Sequence, residues 1–118
     1  MKRKLFAVLC IMMMVISMTA CQKKEDKYVI GICQLVTHDA LDAATKGFKD
    51  ALIAEFGDKV VFKEQNAAND IPTCSTIANT FVAENVDLIM ANATPALTAA
   101  AAATGDIPIL GTSVTEYG

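Results

Sequence analysis

Short apolar runs alternate with amphipathic helical stretches along residues 28–111, and that alternation is the strongest constraint on the fold. Tyr28-Val29-Ile30-Gly31-Ile32-Cys33 is β-branched and apolar up to polar Gln34, which reads as a buried strand. Leu41, Ala44, Phe48, Leu52 and Phe56 then recur every three or four residues, with charged residues between them, so 39–56 reads as an amphipathic helix closed by Gly57. Residues 59–64 form a second strand. Asp70 is placed to cap a second helix that tolerates Pro72 in its first turn and carries Ile71, Cys74, Ile77, Ala78, Phe81 and Val82 on one face. Residues 86–91 form a third strand. Thr94 reads as the cap of an alanine-rich helix with Pro95 in its first position, and 107–111 reads as a fourth strand. Strands separated by single helices must run parallel, with right-handed crossovers. The fold class is therefore α/β, a doubly wound parallel β-α-β-α-β-α-β sheet, with the expected strand order 2-1-3-4.

This architecture puts the chemistry at the carboxyl ends of the strands, where the chain reverses direction between strands one and three. The loops there are Gln34-Leu35-Val36-Thr37-His38-Asp39, Asn92-Ala93-Thr94-Pro95 and Thr112-Ser113-Val114-Thr115-Glu116. None holds a glycine-rich turn, so a dinucleotide pyrophosphate has no cradle. The acids of a phosphoacceptor site are missing from the ends of strands one and three. Gly111-Thr112-Ser113-Val114-Thr115 lacks the second glycine of a hydrolase nucleophile elbow. No cofactor motif appears, and Cys33 with His38 do not make a recognisable metal-ligand spacing. The loops instead offer uncharged hydrogen-bonding groups at helix starts, which suits binding a small polar ligand rather than transforming it. Thr94 serves equally well as a plain helix cap or as part of an anion-friendly terminus. His38 reads either as a donor to a ligand or as the start of the first helix. Asp39 and Asp42 read as first-turn acids that complement the helix dipole.

The segment before this domain is of another kind. Residues 1–20 carry three basic residues and no acid, and 15 of the 20 are apolar. Lys2-Arg3-Lys4 followed by an apolar run is the pattern of an export signal, and the run is too short to span a membrane. Met18-Thr19-Ala20-Cys21 is similar to a bacterial lipobox, which would make Cys21 the lipidated first residue of the mature chain. An ordinary signal peptide is the alternative. Gln22 to Lys27 is a polar tether, which leaves residues 28–118 as the folded unit. From Cys21 onward 7 basic residues face 13 acidic ones, a formal charge of -6 that excludes a basic nucleic-acid-binding surface. Cys33 and Cys74 then remain for the fold and are expected as buried free thiols.

Taken together, the lipobox, Thr37-His38-Asp39-Ala40-Leu41-Asp42, Gln65-Asn66-Ala67, Ala93-Thr94-Pro95-Ala96, Ile107-Pro108-Ile109 and Thr112-Ser113-Val114-Thr115 resemble the ABC-transporter substrate-binding lipoproteins of the tryptophan or aromatic amino-acid type. The resemblance implies one lobe of a type I periplasmic-binding fold, held on the outer face of the cell membrane by its lipid. It implies an amino-acid ligand, an ABC permease as partner, and neither catalysis nor a cofactor. Gln34, Thr37, His38, Thr94, Ser113 and Thr115 are its implied ligand contacts. Asp39 departs from the family pattern, where proline commonly follows the histidine. Members carry two lobes, so this chain is expected to be the first lobe alone. A membrane-tethered enzyme using Cys33, His38 or Ser113, or a sensory lobe, would be the competing function.

Overall fold

A computed structural model of the protein describes residues 26–115. The export signal, the lipobox and Cys21 lie outside the described residues, as do Glu116 to Gly118. The elements are β1 (Tyr28–Gln34), α1 (Asp39–Phe56), a short 3-10 turn (Gly57–Lys59), β2 (Val60–Asn66), α2 (Ile71–Ala83), β3 (Leu88–Asn92), α3 (Thr94–Ala103) and β4 (Ile109–Thr112). The four strands form one sheet, parallel throughout as the alternation of elements demands, in the expected order β2-β1-β3-β4.

Side chains alternate across the sheet and build two apolar layers. Gly31, Cys33, Ile89, Ala91 and Ile109 face α2 and α3, where Cys74, Ile77, Ala78, Phe81, Ala96, Ala99 and Ala100 complete the larger core. The alanines let α3 lie close to its neighbours. Gly31 is needed for a similar reason, since a Cβ there would sit 2.7 Å from the Phe81 ring. Ile30, Ile32, Val60 and Met90 face the other way and meet Phe48 and Leu52 of α1. α1 does not reach the outer strand, so Leu110 stays exposed.

The helix boundaries show what each sequence signal meant. Asp70 caps α2, its carboxylate accepting from the Thr73 N–H at 3.0 Å, and Gly57 ends α1 with φ of 58°. Thr94 does not cap α3. Ala93 holds the capping position at φ 98° and ψ 158°, with no side-chain cap, so that Thr94 is the first helical residue and Pro95 the second. The reason is tertiary: the Ala93 N–H is committed to the Thr112 carbonyl at 3.0 Å while its own carbonyl accepts from Leu97. The strands are also displaced from expectation. β2 runs on to Asn66 and β3 to Asn92, whereas β4 starts at Ile109 because the Ile107 N–H is taken by the Thr104 hydroxyl and Pro108 has no N–H to give.

Candidate functional site

The apolar alternation on the α1 face of the sheet breaks at the same level in three neighbouring strands. Ile30 and Ile32 are followed by Gln34, Leu88 and Met90 by Asn92, and Leu110 by Thr112. Gln34 pairs with Asn92 and Asn92 with Thr112, so a row of polar side chains crosses the carboxyl ends of β1, β3 and β4. Strand-like backbone bonding continues past the row, from Leu35 N–H to the Asn92 carbonyl at 3.2 Å and from Ala67 N–H to the Gln34 carbonyl at 2.9 Å. The loops that follow β1, β3 and β4 therefore start from one rigid edge.

Gln34 and Asn92 are both buried, at 4% and 0% exposure, where a polar atom left without a partner is costly. The Gln34 amide nitrogen donates to the Val36 carbonyl at 2.8 Å and to the Asp42 carboxylate at 2.6 Å. Its oxygen accepts from the Thr45 hydroxyl at 2.7 Å. The Asn92 nitrogen donates to the Leu41 carbonyl at 2.8 Å and to the Thr45 oxygen at 2.9 Å. Only the Asn92 oxygen lacks a partner among the described residues. Gln34 is thus a buried brace of the site, while Thr37, His38, Ser113 and Thr115 are exposed around it and Thr94 is half-buried.

Each exposed loop is tied down separately. Thr37 accepts from the Asn66 amide at 3.2 Å, joining the loop after β1 to the end of β2. His38 starts α1, one of its two readings, its Nδ1 accepting from the Ala40 N–H at 3.1 Å, which leaves Nε2 as the nitrogen free to donate. The Thr94 hydroxyl accepts from the Thr115 N–H at 3.3 Å and lies 3.4 Å from the Thr115 hydroxyl, joining α3 to the chain leaving β4. Ser113 turns with φ of 56°. The edge thus gathers all six sequence-predicted residues: Gln34 beneath, Thr37 and His38 on one side, Thr94, Ser113 and Thr115 on the other.

Sequence reasoning missed Thr45, the one buried residue of α1, and gave Asp42 only a dipole role. The signal was a hydroxyl four residues after Leu41 on an otherwise apolar helix face.

Cys33 is buried beside Cys74 in the core, and desolvation, with a smaller contribution from Cys74, pushes its thiol up to about 12, away from the reactive thiolate. Cys74 is pushed up as well, chiefly by burial. No His, Cys, Asp and Glu cluster suited to a metal ion occurs among the described residues.

Residues 29–117 match the family model described as ABC transporter substrate binding protein. The chain is 50% identical over 90 residues to a tyrosine-binding protein of Clostridioides difficile, an alignment covering 74% of this chain and 26% of the relative. Among solved structures it is similar to the ligand-free, open form of a substrate binding protein with adhesive properties from Clostridium difficile, at 47% identity and a TM-score of 0.73 over 75% of this chain and 31% of the other. It is also similar to a Streptococcus pneumoniae ABC domain in complex with L-Trp, at 34% identity and a TM-score of 0.72 over 76% and 31%. The chain spans about a quarter to a third of the length of these relatives. With the parallel sheet, the polar strand tips and a family match across nearly all the described residues, this chain belongs to the ABC transporter substrate binding proteins.

Proposed function

We propose that this chain forms the first lobe of an extracytoplasmic lipoprotein that binds an amino acid, with an aromatic one favoured, and delivers it to an ABC permease. The carrying observation is the start of α3. Its first turn presents backbone N–H groups that no side chain caps, next to Ala93, whose backbone lies in a region that alanine rarely occupies. An uncapped helix start attracts a carboxylate, and strained backbone is commonly kept where a ligand needs it. In this reading the Thr94 terminus takes the ligand carboxylate, Ser113 and Thr115 orient the ligand near the hinge, and Thr37 and His38 complete the first-lobe wall, braced from beneath by Gln34. The aromatic preference rests on the relatives, one named as tyrosine-binding and one holding L-Trp.

Anchoring through a diacylglyceryl Cys21 follows from the lipobox reading. No helix among the described residues is long and apolar enough to cross a membrane. The decisive experiment is calorimetric titration of the intact protein, meaning this lobe together with the second lobe that the reading implies, with tyrosine, tryptophan and phenylalanine. Thr94→Val is expected to weaken binding by about 1.5 to 3 kcal/mol, the value of a hydrogen bond to a charged group. Unchanged affinity would remove Thr94 from the carboxylate site.

A further inference from the structure

We propose that Thr45, remote from the exposed rim on the inner face of α1, is a positioning residue for the ligand site. This rests on the binding reading above. The Leu41 and Val36 carbonyls and the Asp42 carboxylate can only accept, so they dictate which end of each buried amide carries nitrogen. Thr45 has one hydroxyl hydrogen, which goes to the Gln34 oxygen, and its lone pair receives the Asn92 N–H. Turning either amide over would set oxygen against oxygen. The chain Asn92 to Thr45 to Gln34 to Asp42 therefore has a single proton arrangement, with every donor pointing towards the carboxylate.

That arrangement ties β1, β3 and the first turns of α1 together at the level from which the ligand loops depart. Val36, one residue before Thr37 and two before His38, is held through Gln34, while Asn92 precedes strained Ala93 and the α3 terminus. Asn92 Oδ1 is the exception: it is fully buried and unpartnered among the described residues. Thr45 fixes that oxygen's orientation, and the Asn92 amide with it holds the end of β3 immediately before Ala93 and the α3 terminus.

The test compares Thr45→Val and Thr45→Ser in the intact protein, with tyrosine and tryptophan as probes. Valine keeps the shape and removes the hydroxyl, leaving Asn92 Nδ2 and Gln34 Oε1 short of a partner. Affinity should fall roughly tenfold or more, and serine should restore most of it. Phe81→Leu, in the core beneath the opposite face of the sheet, serves as a control for plain destabilisation and should leave affinity near wild type. In nitrogen-15 NMR spectra the Gln34 and Asn92 side-chain amides should be protected from exchange in wild type and the serine variant. Both should lose protection together with valine. Protection retained in Thr45→Val, or an affinity loss in Phe81→Leu equal to that of the valine variant, overturns the proposal. Amide protection lost with affinity unchanged overturns it too, leaving the network merely structural. If wild type binds none of the amino acids, the functional reading fails and the positioning role for that ligand with it, while the exchange measurements still decide whether Thr45 orders the two amides.

Discussion

Ala93 illustrates how a single residue carries information that contacts alone do not. Its φ of 98° with ψ of 158° lies in the region occupied almost only by glycine, at a cost of about 1 to 3 kcal/mol. Replacing alanine by glycine usually destabilises through the greater freedom of the unfolded chain, by about 0.4 to 1 kcal/mol. Here the released strain is the larger quantity, so Ala93→Gly is expected to raise the denaturant midpoint, and a lower midpoint would show that the turn is unstrained. Cys33 gives a second test at this scale. With its thiol pushed up to about 12 from an ordinary 9.0, the protein should gain no rapid labelling by thiol reagents at pH 8 until it is unfolded. The sign of the linkage follows: the unfolded thiol loses its proton first, so the stability held below pH 9 drains away as pH rises towards 12. Denaturant midpoints for wild type and Cys33→Ala across that window should diverge in slope, the variant falling less steeply.

Among elements, β1 is the hub. It pairs with both β2 and β3, buries Cys33 under α2, and ends in Gln34 against α1. Gly31 is the tightest point, because the Phe81 ring of α2 occupies the space a side chain would need. Gly31→Ala should cost about 1 to 3 kcal/mol through overpacking, measured as a loss in the midpoint of chemical unfolding. A neutral result would mean that α2 moves freely on the sheet. Exposed pairs such as Lys49 with Glu64 and Lys63 with Glu84, each at 2.8 Å, link elements across the surface and contribute little to stability by comparison.

For the whole molecule, the loops beyond the buried strand tips are open to solvent within the described residues, with Thr37, His38, Ser113 and Thr115 exposed. Small-ligand sites bury most of their ligand between walls. The 118-residue chain by itself is therefore expected to bind tyrosine or tryptophan weakly or not at all, and micromolar affinity in calorimetric titration would contradict that. The exposed Leu110 belongs to the same picture, since the α1 face of the sheet is covered over its β2 side and bare over β4.

What the amino-acid order determined by itself is what depends on period and on local chemistry. The two-residue and three-to-four-residue rhythms specified the strands and their crossover helices, and local chemistry specified the Asp70 helix start, because those signals act within a few residues of themselves, whereas the strand order was expected from the commonest arrangement of such units. The edge holding Gln34, Thr94 and Ser113 followed from the same rhythm. Tertiary structure alone decided that Ala93 and not Thr94 would hold the capping position, and that Thr45 would stand between two buried amides. Both depend on hydrogen bonds between residues far apart in the chain, Ala93 with Thr112 and Asn92 with Thr45, and those pairings exist only once the strands lie side by side.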